Sequence, residues 1–211
     1  MAFHKLDLDT WERREHFAAY SGATACTYSM TADVDITGLP EAARRRGAPF
    51  HAVLVYLFSR IVNAHRELRM AADEDGAPGW HDVMHPSYTV FHPDDETFSC
   101  LWTEYDEDFD AFLANWRSDA AQYGEQHGFC VKPPVSNCFN FSCIPWVSFT
   151  GMNLNLSADR SYYPPIFTVG KYHISGGRCL LPLAVQVHHA VCDGFHAARI
   201  FSDLETLAHT F

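Results

Sequence analysis

The sequence lacks the features that mark several protein classes. Its 211 residues include seven cysteines, an odd number, with no C-x-x-C pair. Neither a disulfide framework nor a zinc ribbon is therefore predicted, and the cysteines suit a reduced, cytoplasmic protein. No apolar run is long and uncharged enough to predict a transmembrane helix. Charged residues in the first turns are also atypical of a secretory signal, so we expect no membrane partner.

Basic residues are scarce as well. The chain has 15 Lys and Arg against 26 Asp and Glu, for a formal net charge of -11. Binding to a phosphate backbone needs clustered positive charge, so no nucleic-acid partner is expected. The run Arg44-Arg45-Arg46 ends a short helical pattern, where positive charge complements the helix C-terminus.

Helical and strand patterns alternate along the chain without a linker or an internal repeat. Hydrophobic residues make up 47% of the sequence, which is enough for one well-filled core. Helical periodicity is clearest in residues 49–65 and in the C-terminal segment. Asp9 and Glu12 have the spacing of a capping box, which predicts a first helix running to about Tyr20. The mixture predicts a single α+β domain over residues 1–211.

The most specific local pattern is H-H-x-x-x-D-G, at the end of an apolar strand near the C-terminus. It contains His188, His189, Asp193 and Gly194. Because side chains alternate across a strand, the two histidines should point to opposite faces and should not bind one metal together. A strand-end histidine is often structural, and Asp193 can cap the following helix or face a cation. The residues alone leave the structural and catalytic interpretations open.

This pattern resembles the signature of the coenzyme A-dependent acyltransferase superfamily. Further segments resemble the chloramphenicol acetyltransferase family and occur in the same order along nearly the whole chain. They are WERREHF (11–17), RELRM (66–70), TVFH (89–92), ETFS (96–99), FSCIPWVSF (141–149) and LLPLAVQVHHAVCDGFHAAR (180–199). The resemblance implies the CoA-dependent acyltransferase fold, a mixed β-sheet packed with α-helices in a single domain.

The resemblance also implies a role for each candidate catalytic residue. His189 would be the general base that removes a proton from the acceptor hydroxyl, a task that suits the pKa of histidine. The hydroxyl of Ser142 would stabilise the oxyanion, and Thr168 would hold a water nearby. Asp193 would pair with Arg13 of the first helix as structural support, instead of orienting His189.

The same resemblance implies the binding residues. The acceptor is expected beside Tyr20, Thr24 and Tyr28. Acetyl-CoA is expected as the cosubstrate, bound by Trp146, Lys171 and Tyr172, with no metal ion. Cys192 is a less favoured alternative nucleophile, because a thioester is already activated and needs no acyl-enzyme step.

A second copy of the chain is implied too. Two-domain relatives place the site between their domains, so a single-domain chain would obtain the second wall from another copy in a homotrimer. His189 is expected on one side of each interface, and Ser142 with Tyr20 on the other.

The sequence leaves the identity of the acceptor substrate open between several alternatives. Small residues at 21–24 leave a looser wall, and lost methylenes are worth roughly 1–3 kcal/mol in discrimination. We expect O-acetylation of chloramphenicol, which confers antibiotic resistance. The alternatives are a related CoA-dependent acyltransferase acting on another hydroxyl, amine or thiol, and a non-catalytic trimeric ligand-binding protein of the same fold.

Overall fold

The computed structural model describes residues 2–22, 24–154 and 161–211. The described strands are β1 (Phe3–Lys5), β2 (Thr27–Asp35), β3 (Met70–Ala72), β4 (Pro78–His81), β5 (His85–His92), β6 (Thr97–Trp102), β7 (Cys138–Ile144), β8 (Ile166–Gly170), β9 (His173–Ser175) and β10 (Arg178–His188). The described α-helices are α1 (Arg14–Ser21), α2 (Leu39–Arg45), α3 (Phe50–Ala64), α4 (Phe109–Tyr123) and α5 (Gly194–Thr210), with a 3₁₀ helix at Arg66–Arg69.

Seven of the strands form one mixed sheet. Its order is β2-β10-β8-β7-β5-β6, and β9 pairs with the start of β10. Strand β7 runs parallel to both of its neighbours, β5 and β8, while the remaining pairs are antiparallel. A mixed sheet packed with helices confirms the predicted fold class.

Strand β10 lies in the middle of the core. Leu181, Leu183, Val185 and Val187 are buried on the face that the helices cover, as the period of two in a strand requires. Helix α5 packs against β2, β10 and α3. The H-H-x-x-x-D-G segment therefore lies at the end of a strand whose position is fixed by the core.

No helix in the described part of the chain is both long and apolar enough to cross a membrane.

Strands β5 and β7 separate partway along their length. Their pairing ends at Tyr88 opposite Phe141. Beyond that point β5 still pairs with β6 as far as His92, and β7 with β8 as far as Ile144. The sheet therefore opens a gap between its fourth and fifth strands.

Two features differ from the predictions. Helix α1 begins at Arg14, so the capping box at Asp9 and Glu12 is wrong. Instead the carboxylate of Asp7 accepts hydrogen bonds from the Asp9 N–H (3.1 Å) and the Thr10 hydroxyl (2.9 Å), which holds this segment in a turn. The second sheet, β1-β4-β3, was not predicted, because strands of three or four residues are too short to show a period.

Gly79 provides a test of this second sheet. It lies in the middle strand, paired with Lys5 and Ala71, and a Cβ atom there would collide with the ring of Phe3 and the carbonyl oxygen of His4. We expect Gly79→Ala to lower the free energy of unfolding by about 1–3 kcal/mol, as overpacking does, measured by urea unfolding.

Gly151→Ala is the control, since a Cβ atom at Gly151 has no described neighbour within 4 Å. Equal losses in the two variants would contradict the close packing of β1 on β4.

Candidate active site

His189 lies one residue beyond the end of β10, in a turn. Its N–H donates to the carbonyl oxygen of Cys26 (2.9 Å), and the N–H groups of Val191 and Cys192 donate to the carbonyl of His188 (3.1 and 3.0 Å). The bond to Cys26 continues the register of β10 with β2, and Tyr28, which is paired with Val187, contacts the His189 ring, as expected if His189 lies on the Val187 face. The turn directs the imidazole towards the end of α1.

Two tyrosines hold the ring of His189. The ring of Tyr20 stacks on it with centroids 4.0 Å apart and planes 6° apart, and Tyr28 meets it edge-on at 5.2 Å. The Tyr28 hydroxyl donates to the carbonyl of Cys192 (3.2 Å). Burial raises the pKa of Tyr28, so this hydroxyl keeps its proton at neutral pH. The imidazole is thus fixed by packing on two sides.

Arg13 and Asp193 form a two-pronged ion pair behind this ring. Nη1 of Arg13 bonds Oδ2 of Asp193, and Nη2 bonds Oδ1 at 2.9 Å. The hydrogen bond from Arg13 lowers the pKa of Asp193 below its usual value. Arg13 directly precedes α1 and Asp193 directly precedes α5. The pair therefore joins the starts of the first and last helices.

Asp193 is also close to His189. Nδ1 of His189 lies 3.3 Å from Oδ1 of Asp193, but among the described residues this buried nitrogen has no hydrogen-bond partner. Both carboxylate oxygens are already engaged by Arg13. This geometry favours a structural role for Asp193 over a catalytic triad.

His188 has different surroundings from His189. It is buried, its Nδ1 accepts a hydrogen bond from the N–H of Ala190 (3.2 Å), and its ring meets the edge of Tyr163 at 5.1 Å. An acceptor at Nδ1 places the proton of the neutral ring on Nε2. His188 thus packs inside the protein, which leaves His189 as the accessible member of the pair.

Ser142 and Thr168 belong to a second group of polar residues. They face each other across the parallel strands β7 and β8. The hydroxyl oxygen of Ser142 lies 3.4 Å from that of Thr89 on β5. Thr168 is buried and Ser142 is half-buried. The three hydroxyl side chains therefore lie together beside the gap between β5 and β7.

The two groups are far apart in one chain. Ser142 is level with Thr168, and Thr168 is level with Ala184, five residues before His189. Strand spacings of about 4.8 Å and residue steps of about 3.3 Å place His189 roughly 19 Å from Ser142. The expected grouping of Tyr20 with Ser142 is wrong, since Tyr20 stacks on His189 of its own chain.

A cleft of about 730 Å³ opens where β5 and β7 diverge. Trp146, Lys171 and Tyr172 all line it, and Thr89 and Cys143 connect its wall to Ser142. The three residues predicted to bind a cofactor are therefore brought together, next to the serine and not next to the histidine.

The cleft is apolar and carries little charge. Lys171 is the one charged side chain among the described residues that line it. His51 also lines it, but burial lowers its pKa to about 4, so it is neutral at pH 7. Trp146 meets the edge of Phe91 at 4.8 Å and remains 63% exposed. Sequence patterns missed His51 and Thr89, since nothing local distinguishes them from other helix and strand residues.

The remaining predicted residue, Thr24, is exposed in the turn that precedes β2. Ala23, which belongs to the same stretch of small residues, lies outside the described residues. Thr24 therefore lies at the surface, in the chain segment between Tyr20 on α1 and Tyr28 on β2, and not in the packed core.

Possible metal ligands lie elsewhere. In the described part of the chain, one group brings three of them together: Asp94 and Asp95 in the β5–β6 turn and His127 after α4, all exposed. Both ring nitrogens of His127 face these carboxylates, with Nδ1 2.8 Å from Oδ2 of Asp95 and Nε2 3.5 Å from Oδ2 of Asp94. His81 and His85 are four residues apart but lie on strands of different sheets.

Comparisons with known proteins agree on one family. The family model described as chloramphenicol acetyltransferase matches residues 1–205. A chloramphenicol acetyltransferase of Clostridium perfringens is 46% identical over 100% of this chain and 97% of its own length. One from Clostridioides difficile is 48% identical over 98% of this chain and 96% of its own length.

Solved structures share the fold at lower identity. A chloramphenicol acetyltransferase superposes with a TM-score of 0.89 at 22% identity, covering 98% of this chain and 100% of that one. A dihydrolipoamide acetyltransferase of Azotobacter vinelandii gives 0.63 at 17% identity, covering 92% of this chain and 85% of that one.

The Arg13–Asp193 pair predicts a pH dependence of stability. Since the folded-state pKa of Asp193 is lowered, its contribution is present at neutral pH and is lost as the pH falls through that pKa. Asp193→Asn should lower the free energy of unfolding at pH 7 by about 1–3 kcal/mol, and the difference from wild type should shrink on acidification. Urea unfolding across a pH series measures both.

Glu41→Gln is the control, because it breaks the exposed pair with Arg44, and such pairs contribute about 0–1 kcal/mol. A loss for Asp193→Asn that stays constant with pH would contradict the assignment.

Proposed function

Because the chain belongs to the chloramphenicol acetyltransferase family, we propose that it transfers the acetyl group of acetyl-CoA to a hydroxyl of chloramphenicol. His189 is the general base of this reaction. The observation that carries the proposal is the His189 imidazole, held between Tyr20 and Tyr28 with its side chain still 30% exposed.

His189 takes the proton of the acceptor hydroxyl as the oxygen attacks. Its Nδ1 is buried, so Nε2 is the nitrogen that an acceptor can reach. A neutral imidazole accepts a proton there, and a positioned general base accelerates a reaction by typically 10²–10⁴-fold. The stacked Tyr20 ring restricts rotation of the imidazole, which keeps Nε2 aimed at the acceptor.

Ser142 stabilises the negative charge that develops on the carbonyl oxygen. With Thr89 as the donor in their 3.4 Å contact, the Ser142 hydroxyl keeps its own proton for the reacting carbonyl. Removing such a donor costs on the order of 10²–10³-fold in kcat. Thr168, directly opposite on β8, holds a water molecule beside the same oxygen.

The cleft beside Ser142 binds acetyl-CoA, which supplies an acetyl group already activated as a thioester. Its apolar wall suits the long pantetheine arm, and Lys171 suits the phosphate groups of an anionic ligand. Trp146 and Tyr172, both exposed aromatic residues in its wall, provide rings against which the cofactor packs. The Thr89 end of the cleft brings the thioester to Ser142.

The active site is completed by a second copy of the chain. Within one chain His189 and Ser142 lie roughly 19 Å apart, too far to act on one carbonyl group. A closed homotrimer, the assembly that the family resemblance implies, would pair the His189 side of each chain with the Ser142 side of the next in three equivalent interfaces.

A second acceptor is favoured by one observation. Thr24, in the stretch of small residues, is exposed next to β2, which leaves the acceptor wall open near Tyr20. Another hydroxyl, amine or thiol compound of similar size is therefore the alternative acceptor.

With chloramphenicol as the acceptor, the enzyme confers resistance by acting in the cytoplasm. The non-catalytic alternative is weaker, because His189 and Ser142 are both present.

His189→Ala should lower kcat for chloramphenicol acetylation by about 10²–10⁴-fold, through loss of the general base. Release of the CoA thiol measures the rate, and circular dichroism checks the fold. His16→Ala, which removes an exposed imidazole from α1, should leave kcat unchanged. A folded His189→Ala enzyme within threefold of wild type would overturn the assignment.

Acetyl-CoA should protect Cys143 from alkylation by N-ethylmaleimide, because Cys143 lines the cleft. Cys130 is exposed and outside the cleft, so its labelling serves as the internal control. Burial raises the pKa of Cys143 to about 11, so labelling is slow and needs alkaline pH. Peptide mass spectrometry that shows no protection of Cys143 at saturating acetyl-CoA would place the cofactor elsewhere.

Hybrid assemblies test the shared site. His189→Ala and Ser142→Ala chains with different tags are unfolded together, refolded and purified through both tags. In every mixed trimer, one of the three interfaces joins an intact His189 to an intact Ser142, so about one third of wild-type activity should return.

Hybrids that are no more active than the parent variants would mean that each chain uses its own His189 and Ser142. Reassembled wild type gives the reference activity, and light scattering confirms that the hybrids have the mass of three chains.

A further inference from the structure

Two cysteines face each other beside β6, at the edge of the sheet opposite β2. Cys100 on β6 and Cys130 form a single parallel β-bridge. The N–H of Cys100 donates to the carbonyl of Phe129 (2.7 Å), and its carbonyl accepts from the N–H of Val131 (3.5 Å). Both backbone groups of Cys100 are therefore bonded to the residues that flank Cys130.

This pairing sets the two thiols side by side. Directly paired residues of neighbouring strands are about 4.8 Å apart at Cα and project to the same face. Disulfides span Cα distances of about 4.4–6.8 Å. Their Cβ atoms must come within about 3.5–4.5 Å, which needs a small inward movement of Cys130. The bridge is one residue long and one of its bonds is 3.5 Å, so this movement disrupts no ladder.

The two thiols differ in access. Cys130 is exposed and Cys100 is half-buried. Burial, and then the nearby Cys130, raise the pKa of Cys100. An incoming oxidant therefore meets Cys130 first, and Cys100 lies behind it as the resolving thiol. Of the cross-strand residue pairs in the described part of the chain, this is the one that consists of two cysteines.

We propose that Cys100 and Cys130 form a reversible disulfide when the protein meets a low-molecular-weight disulfide such as oxidised glutathione. The Cys130 thiolate attacks one sulfur of oxidised glutathione and expels a glutathione thiolate. The Cys100 thiolate then attacks Sγ of Cys130 and expels the second glutathione thiolate. Two protein thiols are oxidised, one glutathione disulfide is reduced, and the two protons pass to the two glutathione thiols.

The link fastens the segment after α4 to β6. It closes a loop that contains the whole of α4, and closing a loop stabilises the folded state by restricting the unfolded chain. A row of aromatic residues leads from this loop to the cleft. The ring centroids of Phe129 and Phe98 are 6.1 Å apart. Phe98 is paired across the strands with Phe91, whose ring contacts that of Trp146. The disulfide therefore fixes the outer end of this row, and Cys100 itself is paired with Thr89, the neighbour of Ser142.

The test treats the native enzyme with oxidised glutathione, blocks free thiols with N-ethylmaleimide, and digests it without reductant. Peptide mass spectrometry should find Cys100 linked to Cys130, and dithiothreitol should remove the link. The oxidised enzyme should also have a higher urea midpoint than the reduced enzyme. In Cys100→Ser, glutathione should remain attached to Cys130, whereas Cys26→Ser, a control at the other edge of the sheet, should form the link normally.

Four results would overturn the proposal. They are glutathione that stays on Cys130 of the wild type, an unmodified Cys130, a link that forms only in denaturant, and a Cys130–Cys130 link between chains. Since serine differs from cysteine by one atom and both variants can be assayed for activity, a folding failure is recognised independently of the oxidation result.

Discussion

The register of β10, β8 and β7 is the constraint on which the rest of the account depends. It sets Ser142 level with Thr168 and Thr168 level with Ala184, while β10 continues for four more residues before the chain turns at His189. A sheet cannot shift its register by one residue without moving every buried side chain to the other face. The distance between His189 and Ser142 is therefore fixed by the same packing that fixes the core. Bringing the two residues together within one chain would require breaking the sheet.

Each half of the site is supported by a different part of the fold. The His189 half depends on the starts of two helices, which the Arg13–Asp193 pair joins, and on the Tyr20 ring at the end of α1. The Ser142 half depends on the interrupted pairing of β5 with β7, which opens the cleft without breaking the sheet elsewhere. The cleft thus reaches the serine through the sheet, while the histidine lies at a different surface of the chain.

Sequence patterns predicted those parts of the structure that have a local signature. The helix at 49–65 was predicted because a long buried helix has a strong period, and α3 spans Phe50–Ala64. The residue at which β10 ends was not predicted, because the alternation of side chains along a strand does not show where strand pairing stops. The stacking of Tyr20 on His189 and the cleft beside Ser142 were also missed, since both arise from contacts between residues far apart in the sequence. Family resemblance named these residues but grouped Tyr20 with the wrong partner.

The central claim is that one active site is built from two chains, and a crystal or cryo-electron microscopy structure of the assembled enzyme tests it most directly. The account predicts that Nε2 of His189 faces the Ser142 hydroxyl of a neighbouring copy across the interface, close enough for one acceptor and one thioester to lie between them. A structure in which His189 faces solvent in a fully active monomer, or faces an interface that lacks Ser142, would contradict it.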